Sequence, residues 1–462
     1  MENELLETLL KQDEEKKDPN IDKDFSSLDY FNWLKPVEYK FTMNDASFQK
    51  NPNIYLQSQN FQLDDQGLMW ERMRISRKHF RMRRQRAYKS YRNHELLLNS
   101  RNQEMIEEAK EPQVMPNNFQ FYEHRLTLSE DKINIGHFQL LRNLKAIDCG
   151  NVYFASDSGI CHANFKEAKY NTETVVLNSK LSGVLSVFDV KDNILVMGTH
   201  EGQVYIYDLD NEKYLYEPFV LAVGEGMIVN YLQLLSEVPL LNDQGYKSNK
   251  HMYLLSATND SKVKIHDVEM GMKERECLNF KDPINVAALS PDGNLLAVYG
   301  DCYPADIYDR RSSKLVASLQ GHEDYGFALQ WHPSQNYLAT GNQDRTCKLW
   351  DVRYLRDEDQ FSQKQGRCYC VKTFEGHQGQ ISEIRFYQDM LIFAESIDYV
   401  HIYDTQTYEK HQEINNFGQL SGIDIYEDRL FLALNEPHMS CLMEYKLIQN
   451  NYDLYTPNDL YL

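Results

Sequence analysis

The chain has 462 residues, 42% of them hydrophobic and 12% aromatic, with a formal net charge of -20. No apolar run approaches the roughly 18 residues of a membrane-spanning helix, and the first 24 residues hold nine acidic against four basic side chains, the reverse of a cationic secretory leader, so the expectation is an intracellular protein without membrane contact. Ten Lys or Arg and no acid lie between Arg72 and Arg92, which leaves -30 on the remainder and confines nucleic-acid binding to residues 72–92.

From the start, residues 1–66 read as an acidic, largely disordered region in which Leu5, Leu6, Leu9 and Leu10 share one side of a short helix. Residues 67–112 form a basic amphipathic helical segment. Within it Arg72 to Arg92 lacks Gly and Pro and puts Met73, Phe80, Ala87 and Tyr91 near one face. A basic face of Arg77, Phe80, Arg83, Arg84 and Tyr91 is expected to dock on the acidic body, by charge complementarity. A partner-protein helix and an RNA or phosphate contact are the alternatives.

Residues 113–462 read as repeated antiparallel sheets. Asn118 to Leu128 alternates apolar Phe119, Phe121 and Leu126 with polar residues, and Leu141 to Phe165 alternates like a degenerate first repeat. Apolar-aromatic-Asp endings then recur at Asp208, Asp267, Asp309, Asp351 and Asp404, the middle three separated by 42 residues, the period of four strands per repeat. Wider gaps are assigned to loops at Val238 to Lys250 and Arg356 to Arg367. Leu420 to Leu447 reads as a seventh repeat short of one strand, which residues 118–128 are predicted to supply, because a closed ring must cover its edge.

In the fifth repeat, His322, Thr340, Asp344 and Trp350 have the spacing of a hydrogen-bonded relay that stabilises one blade of a propeller. The sixth keeps Gly376-His377 and Tyr403 but has Ile397 where the turn acid would fall. Whole relays tend to be replaced together, because an isolated buried partner costs about 1 to 3 kcal/mol. Gly321-His-Glu-Asp-Tyr-Gly-Phe-Ala328, Ala339-Thr-Gly-Asn-Gln-Asp-Arg-Thr-Cys-Lys-Leu-Trp-Asp351, Val400-His-Ile-Tyr-Asp404, Phe417-Gly-Gln-Leu-Ser-Gly422 and the Trp70-Glu-Arg72 start resemble a family of eukaryotic WD40-repeat, transducin-like proteins. The resemblance runs from about Trp70 to the end. It implies an all-β fold, a seven-bladed WD40 β-propeller behind a basic helical segment, and it carries no activity.

Leu338 to Arg353 also resembles the box ending in Trp-Asp-x-Arg found in substrate receptors of cullin-RING ubiquitin ligases, so Arg353 is a candidate contact for a ligase adaptor; the alternative is a pair with a neighbouring carboxylate. Loops of one rim place Glu323, Asp324, Tyr325, Gln378 and Gln380 as candidate partner-binding residues. Eight scattered cysteines without a C-x-x-C pair read as reduced thiols. With no phosphate-cradling Gly loop, no G-x-S-x-G and no helical His/Glu zinc pattern, the chain is expected to be no enzyme and to hold no cofactor or metal. The predicted role is a non-enzymatic scaffold for protein partners, with a ubiquitin-ligase receptor or an RNA-associated factor as rivals.

Overall fold

Every Asp of the repeat pattern ends a strand. The computed structural model describes residues 64–68, 70, 76–88, 117–129, 133–137, 139–166, 172–224, 226–236, 251–355, 368–436 and 440–448. The loops assigned to Val238–Lys250 and Arg356–Arg367, the leucines near the start, and Met73 and Tyr91 lie outside the described residues.

Blade one is β2 (Leu144–Ala146), β3 (Asn151–Ser156), β4 (Gly159–Asn164) and β5 (Thr172–Leu177). Blade two is β6 (Leu185–Lys191), β7 (Ile194–Thr199) and β8 (Gln203–Asp208), edged by two short pieces, β9 (Lys213–Tyr214) and β10 (Phe219–Val220). Blade three is β11 (Val229–Ser236), β12 (Met252–Thr258), β13 (Lys262–Asp267) and β14 (Lys273–Asn279). Blade four is β15 (Ile284–Leu289), β16 (Leu295–Gly300), β17 (Ala305–Asp309) and β18 (Lys314–Leu319). Blade five is β19 (Gly326–Trp331), β20 (Tyr337–Asn342), β21 (Thr346–Asp351) and β22 (Tyr369–Glu375).

Blades six and seven share a strand. After β23 (Ile381–Tyr387), β24 (Met390–Glu395) and β25 (Ile397–Asp404), the 16-residue β26 (His411–Tyr426) pairs first with β25 and then with β27 (Arg429–Asn435). One seven-stranded sheet results. Beyond β28 (Cys441–Leu447) its last strand is β1 (Tyr122–Ser129), antiparallel with Tyr122 opposite Leu447 and Ser129 opposite Cys441. The early strand therefore closes the ring. Its neighbours help: Gln412 accepts from the Phe121 and Tyr122 N–H groups at 2.7 and 2.8 Å.

Apolar residues of successive inner and middle strands pack face to face between blades, which is where the core sits. Val187 and Val196 meet Leu232 and Leu254 between blades two and three, and Ala339 and Leu349 meet Ile384 and Phe393 between five and six. Between the last and first blades Phe431, Ala433 and Leu442 pack with Val152, Phe154 and Ala163. Acids on inner strands stitch the same seams. Asp189 accepts from the Leu234 N–H at 2.7 Å, Glu383 from Ile423 at 2.8 Å and Asp424 from Ala146 at 3.0 Å, each reaching the next blade. Lys145 lies 3.3 Å from Asp189 and 3.6 Å from Asp424, which balances two of those buried charges.

Helix α1 (Arg77–Ala87) starts at Ser76, whose hydroxyl accepts from the His79 N–H. Eleven residues are too few for a stable isolated helix. Packing against blades six and seven must hold it. None of the eight cysteines forms a disulfide, and among the described residues no helix is long and apolar enough to cross a membrane.

Candidate interaction rim

The relay of blade five is continuous. Trp350 Nε1–H donates to Thr340 Oγ1 at 2.8 Å, the Thr340 hydroxyl faces His322 Nε2 at 2.8 Å, and His322 Nδ1 faces Asp344 at 2.9 Å. His322, Thr340 and Trp350 are buried. An ionised Asp344 can only accept, so Nδ1 carries the proton and Nε2 accepts from threonine. Burial alone would lift the Asp344 carboxyl, yet bonds from His322, Thr346 and the Glu323 N–H draw it down to about 2. A carboxylate depressed on folding stabilises the native state above its unfolded pKa and loses that contribution as pH falls through the folded value. Roughly 2 kcal/mol should thus disappear between about pH 4 and pH 2. Urea titrations across that window should show a shallower slope for Asp344→Asn than for the wild type; equal slopes would refute the assignment.

Above blades six and seven, residues 64–68, 70 and 76–88 form a clamp built around Asp398. This residue, second in β25, has φ +70° and a side chain wholly buried. It pairs with Arg81, with Arg84 through two bonds of 2.9 and 3.1 Å, and accepts from the Gly418 N–H at 2.9 Å. Glu436 takes the other end of Arg84 at 2.7 Å. Although burial works against a charged Arg84, Asp398 and Glu436 hold it firmly protonated. Arg77 donates to Asn415, and Arg81 lies 4.0 Å over the Phe417 ring and 4.7 Å over Tyr399. The apolar counterpart is a three-ring cluster. Phe80 stands edge-on to Phe417 at 4.9 Å, with Trp70 at 5.6 and 5.3 Å from the two. Gln66 both accepts from the Phe417 N–H at 2.6 Å and donates to its carbonyl at 2.8 Å, so a side chain completes the strand's hydrogen bonding.

The structure brings together Arg77, Phe80 and Arg84 of the expected basic face but not Arg83, which points to solvent. The face turns about one residue from the predicted phase, and Arg81, which the sequence reading missed, takes the central place. A helix continuing to Arg92 is also corrected: Tyr88 is extended, with φ -71° and ψ 119°, and its hydroxyl reaches Ser396 at 3.2 Å. With Arg81 and Arg84 committed to buried carboxylates, the proposed phosphate contact loses its central donors.

The rim residues divide. Glu323 is exposed and Tyr325 half-buried, as a contact surface requires, but Asp324, Gln378 and Gln380 are buried. Asp324 turns inward to accept from the Tyr325 N–H at 2.8 Å. Gln378 is covered by α1, donating to the Arg84 carbonyl at 3.3 Å, and Gln380 donates to the Gln139 carbonyl at 3.1 Å. Sequence could not show this cover, since it comes from segments more than 200 residues away. The same rim exposes Leu177, Val184, Val223 and Tyr303, none of which the pattern singled out, with exposures from 41 to 74%. Beside Val184 lies a pocket of about 210 Å³ lined by Asn134, Ser156, Asn178 and Leu185.

The family described as "WD domain, G-beta repeat" matches residues 313–351, the span from the end of blade four through the relay. This chain is a WD40-repeat protein. The nuclear distribution protein PAC1 of Debaryomyces hansenii is 35% identical over 72 residues, 16% of this chain and 12% of the relative. The histone acetyltransferase type B subunit 2 of Gibberella zeae is 26% identical over 140 residues, 29% of this chain and 30% of the relative. The WD40 protein thus spans between an eighth and a third of these curated relatives. Among solved structures, a chain in the crystal structure of a mitotic checkpoint complex matches 73% of this chain and 96% of its own with a TM-score of 0.54 at 16% identity, a likeness of fold.

On the opposite rim of this WD40 protein Arg353 binds Asp351, with Nε 3.0 Å from both carboxylate oxygens. That bond holds the Asp351 carboxyl below its ordinary range. The Arg353 side chain remains 56% exposed.

Proposed function

We propose that this WD40 protein is a non-enzymatic, intracellular scaffold that holds a protein partner on the rim formed by the loops of blades one to five. The observation that carries this reading is the asymmetry of that rim. Over blades six and seven it is sealed by the chain's own clamp, whereas Leu177, Val184, Val223 and Tyr303 are left exposed around the rest. Scattered single apolar side chains are ordinary on surfaces; several on the loops of one rim, beside a pocket and with a half-buried Tyr325, have the composition of an interface centre. Two similar proteins support it by their printed names, one being a subunit and the other part of a complex.

The test is affinity purification with mass spectrometry of the wild type against Val184→Asp/Val223→Asp. Both positions are over half exposed, so melting should be unchanged while the specific partner is lost. An identical set of co-purified proteins would overturn the reading. The exposed Arg353 supports a second reading, an adaptor contact of a cullin-RING ligase on the opposite rim. Arg353→Ala in the same experiment should then remove ligase subunits alone.

A further inference from the structure

Blade six lacks the relay of blade five, and its place is taken by a buried group of imidazoles and carboxylates. Glu395, fully buried at the end of β24, accepts from the backbone N–H groups of His377, Gln378 and Gly379 at 2.7, 2.8 and 2.6 Å and from His401 Nε2 at 2.8 Å. Four donors fill its oxygens. They also fix the loop that carries His377 and the ring orientation of His401, whose Nε2 proton is committed to Glu395 and whose Nδ1 is left with the lone pair. Directly across the strand pair from His401 is Glu413, and its Oε2 lies 2.5 Å from His377 Nε2. One ligand atom each from His377, His401 and Glu413 lie within 4.8 Å of one another. His411 Nε2 adds a third imidazole 3.4 Å from His401 Nδ1.

We propose that His377, His401 and Glu413 bind a divalent transition-metal ion of the zinc class, with Glu395 as the residue that positions His401. Two imidazoles and one carboxylate form a known zinc donor set, in which ligand atoms stand roughly 3.4 Å apart around bonds of about 2.0–2.1 Å, so small side-chain movements suffice. A ligating imidazole that gives its other N–H to a carboxylate is the usual outer-shell arrangement, here supplied by Glu395. Charge agrees. Two carboxylates, Glu395 and Glu413, face these imidazoles in one enclosed site, at 2.8 Å from His401 and 2.5 Å from His377. A dication complements that pair of carboxylates, even with the Arg81 guanidinium close to His377. His377 and Glu413 keep 10% and 12% of their side chains exposed, which provides entry. Binding displaces the proton shared by His377 and Glu413 and ties the loop before blade six to β25 and β26.

With 14 histidines in the chain, bulk zinc uptake would prove little, so the experiment compares variants. Full-length protein stripped with chelator is titrated with Zn²⁺ at pH 7.5 in competition with a chromogenic chelator. The wild type should take one tight equivalent, His377→Gln and Glu413→Gln should each weaken it by more than 100-fold, and Glu395→Gln, with all ligands present, by about 10–100-fold. No tight equivalent in the wild type, or wild-type affinity in both ligand variants, overturns the site. Should the variants fail to fold, carbethoxylation of the wild type decides: Zn²⁺ must protect His377 from diethyl pyrocarbonate, and modification unaffected by zinc sinks the proposal.

Discussion

Asp398→Asn should destabilise the protein by about 3–5 kcal/mol, because removing one member of a buried ion pair leaves the other charge uncompensated. Two arginines depend on this carboxylate, Arg81 and Arg84, with side chains only 11% and 13% exposed. Asparagine is the informative substitute. It tolerates the left-handed backbone at φ +70° and can still accept from the Gly418 N–H, so the change isolates charge from backbone strain. Urea denaturation provides the measurement, and limited proteolysis should show cleavage within residues 71–90 as the helix detaches. Arg83→Ala, at an exposed position of the same helix, is the control and should stay within about 0.5 kcal/mol of wild type. If Asp398→Asn matches that control, the clamp contributes nothing to stability and the helix is free for a partner.

A deletion ending at Ser129 should abolish the soluble monomer. It removes Phe121, Tyr122, Leu126 and Leu128, all buried, and each contributes about 1.5–3 kcal/mol. Their sum, about 6–12 kcal/mol, equals the whole stability of an ordinary domain. The β28 edge is uncovered as well, and an unpaired apolar strand is a template for aggregation. Size-exclusion chromatography separates the outcomes: aggregate for this deletion, a monomer for one ending at Asn60, which touches none of the described contacts. A monomeric, cooperatively melting product of the longer deletion would show that the ring holds without its closing strand.

How much of this was legible follows from which interactions are local. The Asp residues at 42-residue spacing fixed where third strands end, since each repeat folds on its own neighbours and the pattern is written within it. The relay was legible for the same reason, all four residues lying between His322 and Trp350. Closure by residues 118–128 could be inferred from a missing fourth strand, although its register could not. Side-chain exposure on the rim was illegible: Gln378 reads like any loop glutamine until α1, some 290 residues earlier, covers it. The phase of α1 failed because Met73 and Ala87 suggested an apolar stripe, whereas the docked face is built on arginines stacked over Phe417 and Tyr399. The His377, His401 and Glu413 group escaped because its members come from a loop and two strands, not from one helix with fixed spacing.

The pairing of β1 with β28 leaves 311 residues between Ser129 and Cys441. At translation rates of about 5–20 residues per second, β1 leaves the ribosome roughly 15–60 s before its partner exists. Throughout synthesis the apolar side chains of that strand stand open to water beside a growing arc of finished blades, and nothing downstream can cover them sooner. Nascent chains of this protein should therefore engage chaperones at β1 and release them only once β28 has emerged.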